Sequence, residues 1–87
     1  MADVLIYSKD YCPYCVKAKT LLKRKGAESS ITEIDITRDE KLQQEMLAKS
    51  NGKRTVPQIF IGDMHVGGCD DLHALEAKGG LDPLLAA

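Results

Sequence analysis

A strand-length apolar run, Val4 to Tyr7, is followed within five residues by Cys12-Pro13-Tyr14-Cys15, and a helical pattern sets out from there. No other stretch limits the possible folds as tightly. A short continuous apolar run reads as a central strand covered on both faces, so its sheet needs helices on both sides. Cys12 falls where the following helix is capped. Pro13 takes the first helical position, which tolerates a missing N–H and suits the fixed φ of proline. The first free N–H groups of that helix then point at the Cys12 sulfur, and the positive end of the helix dipole favours a thiolate there. Thiols of Cys-X-X-Cys pairs at helix starts titrate at about 3.5–7.5, against about 8.5 for a free thiol. Cys15, one turn on, lies on the same side and can close an intramolecular disulfide. The stretch reads as a redox site.

The helical pattern runs from Pro13 to about Lys25, with Cys15, Ala18, Leu21 and Leu22 at three- and four-residue spacing on its inner face. Lys17, Lys19, Lys23, Arg24 and Lys25 mark a solvated outer face, and Gly26 stops the helix. Thr32, Ile34 and Ile36 alternate with Glu33 and Asp35, which predicts a second strand. Thr37 and Glu40 have the spacing of a capping box for a helix from about Arg38 to Ser50, with Met46 as core filler and Asn51-Gly52 at its end. Gln58–Ile61 and Met64–Val66 flank Gly62-Asp63, a two-residue hairpin signal. A third helix is expected from about Asp70 to Lys78, ended by Gly79-Gly80. Asp82-Pro83 then reads as cap and first position of a closing turn that tucks in Leu84 and Leu85. The order β-α-β-α-β-β-α is mixed α/β. Its first two strands need a right-handed crossover and so run parallel, and the hairpin adds an antiparallel pair. One four-stranded mixed sheet flanked by helices on both faces is the simplest closure.

Size and composition fit a single domain over residues 1–87. Hydrophobic residues at 44% and charged ones at 29% are the balance of a soluble globular chain. A net charge of −1 gives no footprint for nucleic acid, and no apolar run approaches a membrane span. With no signal-peptide pattern at its start, the chain is expected in the cytoplasm. Three cysteines are an odd count, too unevenly spaced for a secreted disulfide framework. In a reducing compartment a Cys-X-X-Cys pair is catalytic or metal-binding rather than structural. Zinc needs four ligands, usually from a second such pair. Only Cys69, His65 and His73 remain to complete a site, and both histidines read as surface or half-buried side chains.

Two further segments carry chemistry. Thr55-Val56-Pro57 leads into the third strand, at an entrance where a sheet accepts proline. Either it is a simple strand start, or Val56 offers its backbone to an extended peptide beside a cis Val56–Pro57 bond. Gly67-Gly68-Cys69-Asp70-Asp71 opens the third helix. Asp70 is one candidate for its cap. Alternatively, the free N–H groups bind a carboxylate while Asp70 and Asp71 bind an ammonium beside it. A group carrying both charges on one carbon is an α-amino acid terminus. Lys9, across the cleft, can pair with a second carboxylate. The ligand implied is zwitterionic at one end and anionic at the other, with a sulfur between, and glutathione fits.

The same stretches, with Gln58-Ile59-Phe60-Ile61 and Gly79-Gly80-Leu81-Asp82-Pro83-Leu84-Leu85, resemble the small bacterial dithiol glutaredoxins over essentially the whole chain. The resemblance implies a thioredoxin fold and a glutathione-disulfide oxidoreductase that draws electrons from glutathione. It implies Cys12 as nucleophile and Cys15 as resolving thiol, the two forming a redox-active disulfide. It also implies a glutathione site made of Lys9, Tyr14, Thr55, Val56, Pro57, Cys69, Asp70 and Asp71, with Arg38 and Arg54 as further candidates at the glycyl end. Glutathione would be co-substrate, with no permanently bound cofactor and no metal. Glutathionylated proteins and protein disulfides would be the partners, glutathione reductase would act indirectly through the glutathione pool, and a monomer is the expected state. Tyr11 stands where the family often has threonine. A thioredoxin is disfavoured by the absence of Trp. A cluster-carrying glutaredoxin is disfavoured because a single cysteine followed by Gly-Phe-Ser is not the pattern here.

Overall fold

The computed structural model describes residues 1–87. Strand β1 (Val4–Ser8) lies inside a four-stranded sheet of order β2-β1-β3-β4, with β2 at Ile31–Asp35, β3 at Gln58–Ile61 and β4 at Met64–Gly67. It pairs parallel with β2 and antiparallel with β3, and the β3–β4 hairpin completes the sheet. A central strand must be apolar on both faces, and β1 is. Val4 and Ile6 face one layer, while Leu5 and Tyr7 face the other. Gly62 at φ +56 takes the first corner of the hairpin turn, a conformation open to glycine at little cost.

Helices α1 (Pro13–Arg24) and α3 (Cys69–Ala77) cover one face, closed at the end by α4 (Leu81–Ala86). Ala18, Leu21 and Leu22 of α1 meet Leu72, Leu81 and Leu85 there, over Val4, Ile6, Ile59 and Ile61. Helix α2 (Glu40–Lys49) covers the other face, where Met46 packs on Tyr7 and Ile36. At about 1.5–3 kcal/mol for each fully buried aliphatic side chain, the cluster of 12 buried residues on the α1 side outweighs the cluster of 3 on the α2 side. The fold is therefore anchored through α1, which also carries the two thiols. The expected thioredoxin-like sheet, flanked on both faces, is what forms.

Several boundaries differ from the sequence reading, each for a local reason. The cap of α2 is Asp39, whose Oδ1 accepts from Leu42 N–H at 3.0 Å, because the Thr37 hydroxyl is taken by Asp10 N–H at 2.7 Å. Helix α3 starts at Cys69 and is capped by Gly68 rather than Asp70. Asp71 reaches back to accept from Gly68 N–H at 2.9 Å, the reciprocal half of a capping box. Helix α4 begins at Leu81, before the expected Asp82-Pro83 start, and it buries Leu81 and Leu85 while leaving Leu84 half-buried. Pro83 still lies in the first turn, where an absent N–H costs nothing. A short 3-10 turn, Glu28–Ser30, joins α1 to β2 and has no counterpart in the sequence reading.

Candidate active site

The register of β1 opposes Tyr7 to Gln58 and Ser8 to Asp35. The loop leaving β1 and the segment entering β3 therefore meet at one end of the sheet. That loop is pinned from β2's side: Thr37 receives Asp10 N–H, and Thr37 N–H donates to Asp35 Oδ1 at 2.8 Å. The Thr37 side chain first, and then its backbone N–H, hold the Asp35 carboxyl below its usual range. Tyr11 turns the loop with φ +51 and is 91% exposed.

Cys12 is extended (φ −127°, ψ 100°) and caps α1, with Pro13 next, as the spacing predicts. Its Sγ accepts Cys15 N–H at 3.2 Å and lies 3.9 Å from the Val56 carbonyl oxygen. The Val56–Pro57 peptide bond is cis. The two thiols differ sharply in access: Cys12 is half-buried, whereas Cys15 is 2% exposed. Burial is the main reason that the Cys15 thiol is pushed up to about 12, with its hydrogen bond to Cys12 adding to it. A backbone hydrogen bond from Lys9 and the charge of Lys19 pull the other way. Lys19 is itself fixed, with Nζ 3.0 Å from both Glu33 carboxylate oxygens. The buried Ser8 hydroxyl donates to Glu33 at 2.7 Å and is the first cause of that carboxyl's depressed pKa.

A groove of about 550 Å³ runs beside this pair. Tyr14, Thr55, Val56, Pro57, Cys69, Asp70 and Asp71 all line it, so most of the expected site residues converge. Asp70 is exposed and makes no side-chain hydrogen bond, whereas Asp71 is engaged with Gly68 N–H. Gly67 sits at φ +114, and a Cβ there would overlap Asp71 Oδ2, so the chain can make this tight entry to α3 only with glycine. Cys69 is buried, and burial raises its thiol pKa. Its carbonyl accepts from His73 Nδ1 at 2.9 Å. Cys69 thus meets the groove as backbone and packing.

Lys9 is placed differently. It lines a neighbouring hollow of about 530 Å³ with Cys12 and Cys15, and a smaller pocket of about 270 Å³ with Arg54. Arg38 lines none of the three cavities. Lys53, Gln58 and His65 also line the groove, though the sequence reading weighed His65 only as a zinc ligand and marked neither Lys53 nor Gln58 as a site residue. Their signal was weak, because a lysine in a polar turn, a glutamine opening a strand and a histidine in a hairpin are all ordinary.

Exchange by a dithiol route needs one sulfur that can be reached and another held close behind it, and this thioredoxin-like sheet supplies both. The comparisons agree. The family model described as Glutaredoxin matches residues 4–66. Glutaredoxin 3 of Escherichia coli is 55% identical over 85 residues, covering 98% of this chain and 99% of the relative. A glutaredoxin of Pseudomonas aeruginosa is 54% identical over 87 residues, covering all of both chains. Among solved structures, the solution structure of glutaredoxin from Brucella melitensis is 56% identical with a TM-score of 0.82, covering 98% of this chain and 89% of that one. A buckwheat glutaredoxin–glutathione complex is 33% identical with a TM-score of 0.86, covering 98% and 77%. The chain belongs to the glutaredoxin family, and its chemistry is that of a thiol–disulfide oxidoreductase.

Proposed function

We propose that this glutaredoxin reduces glutathione mixed disulfides and protein disulfides at the expense of glutathione, through Cys12 and Cys15. The observation that carries the reading is the Cys12 sulfur. It is accessible, receives an N–H at the start of α1, and stands beside the Val56 carbonyl at the edge of the groove. The buckwheat neighbour was solved as a complex with glutathione, which supports the same use of the groove.

In the first step the Cys12 thiolate attacks the glutathione sulfur of a mixed disulfide. The Cys12–glutathione disulfide forms, the old S–S bond breaks, and the substrate leaves as a thiolate that takes a proton from water. A second glutathione thiolate then attacks the bound glutathione sulfur, giving oxidised glutathione and free Cys12 thiolate. For a protein disulfide, Cys12 attacks one sulfur and Cys15 then attacks Cys12. The substrate departs as a dithiol, leaving a Cys12–Cys15 disulfide for two glutathiones to reduce. Thr55, Val56 and Pro57 would carry the cysteinyl backbone. The first-turn N–H groups of α3 would receive the γ-glutamyl carboxylate and Asp70 its ammonium, with Cys69 and Asp71 shaping that end. Tyr14 would line the bound chain, and Lys9 with Arg54 would form the anionic end's counter-charge.

Glutathione is consumed here as co-substrate rather than held as a cofactor. A site that exchanges with reduced glutathione works in a reducing compartment, and the cytoplasm is the one this reading proposes. In this reading it acts as a monomer. The test is an assay coupled to glutathione reductase and NADPH. Reduction of a glutathione mixed disulfide should require both glutathione and its reductase. Turnover sustained by thioredoxin reductase without glutathione would refute the reading.

A further inference from the structure

Thr55 lies in an irregular, exposed segment, yet both of its oxygens are held by one buried amide. Gln58, 2% exposed, donates through Nε2 to the Thr55 carbonyl at 2.9 Å and to Thr55 Oγ1 at 3.1 Å. A carbonyl only accepts, so the amide nitrogen must face Thr55 and Oε1 must face away. There it meets His65 Nε2 at 2.7 Å, and since an amide oxygen also only accepts, His65 donates. The imidazole is gripped on its flat side by Phe60, with ring centroids 4.7 Å apart and planes 25° from parallel. The strand register opposes Phe60 to His65, next to a bulge between Ile59 and Phe60.

We propose that His65 and Gln58 are positioning residues for glutathione. They form a relay from Phe60 through the imidazole and the amide that fixes the backbone of Thr55 and Val56 along the groove. The inference rests on the reading of that groove as the glutathione site. It assigns His65 a task that its half-buried place in a hairpin does not suggest. If the imidazole N–H is removed, Gln58 Oε1 is left buried without a donor. The amide can then recover a donor for Oε1 only by turning over to the Thr55 hydroxyl, which reverses that hydrogen bond and releases the Thr55 carbonyl. The Thr55–Val56 peptide plane, which carries the Val56 N–H, moves with it.

His65→Phe keeps the ring and its stacking and removes only the donor. In ligand-free protein, the backbone amide resonances of Thr55 and Val56 should shift while those in the middle of α1 stay in place. With a glutathione–cysteine mixed disulfide as substrate, KM should rise about five- to tenfold, the scale of one lost hydrogen bond plus a freed segment. kcat should change by less than about twofold. Alkylation of Cys12 by iodoacetamide, which does not use the groove, should keep its rate. Gln58→Met combined with His65→Phe should be no worse than Gln58→Met alone, as expected of residues acting in series. Unmoved Thr55 and Val56 resonances would overturn the relay. Moved resonances with an unchanged KM would overturn its role in placing glutathione. A parallel loss of alkylation rate, kcat and melting temperature would reduce it to general support of the fold, which also overturns the proposal. A wild-type protein with no saturable dependence on the mixed disulfide would instead remove the groove reading on which the relay depends.

Discussion

Cys12→Ser is expected to lower glutathione-dependent disulfide reduction to the rate of uncatalysed exchange, measured in the reductase-coupled assay. A serine hydroxyl neither ionises near neutral pH nor forms a disulfide, so no partial activity should survive. The fold should be spared, because serine is among the best helix caps and its oxygen can accept the same Cys15 N–H. The melting temperature should reflect a stability change within about 1 kcal/mol. The other two thiols cannot substitute, since Cys15 and Cys69 are both buried and burial raises the pKa of each. Activity above background in this variant would move the nucleophile elsewhere and dismantle the mechanism.

Cys15→Ser separates the two reactions that the site can run. Reduction of small glutathione mixed disulfides uses only Cys12 and should stay within about threefold of wild type. Reduction of a protein disulfide needs the resolving thiol, and should fall by more than about tenfold because the mixed disulfide with the substrate accumulates. The pH dependence of the wild-type protein carries the same information. Once Cys12 is tied in a mixed disulfide, it no longer raises Cys15 by hydrogen bond or charge. Burial remains, opposed by the Lys9 backbone contact and the Lys19 charge. A thiol whose pKa is raised attacks faster as pH rises, so the protein-disulfide reaction should accelerate from neutral to alkaline pH. The Cys15→Ser variant on its small substrate should lack that component. A variant that reduces protein disulfides as fast as wild type would show that release of the substrate does not pass through residue 15.

Legibility in the sequence tracked how local each feature is. The start of α1 could be read because cap, proline and first turn are consecutive residues with a fixed geometry. The central place of β1 could be read because four apolar residues in a row admit few alternatives. The Thr55-Val56-Pro57 and Gly67–Asp71 segments converge as expected, since fold order alone brings the ends of β1 and β3 and the start of α3 to one edge. What escaped was decided by partners distant in sequence. Thr37 and Asp39 are both acceptable caps for α2, and only Asp10, 27 residues away from Thr37, settles which one is free. Asp70 and Asp71 are alike in sequence until the backbone turn at Gly67 brings Asp71 onto Gly68 N–H. Lys9, expected across the cleft, lines the hollow beside Cys12 and shares a smaller pocket with Arg54, a neighbour distant in sequence. The Gln58–His65 pair was invisible for a similar reason, because the bulge that sets their register leaves no mark in the alternation of the strands.

The most direct measurement is the site of attachment of glutathione. Cys15→Ser protein, treated with oxidised glutathione, digested and analysed by mass spectrometry, should carry a single glutathionyl group on the peptide containing Cys12. Reduced glutathione should remove it. An adduct confined to Cys69, or no adduct at all, would contradict the assignment of residue 12 as the sulfur that exchanges.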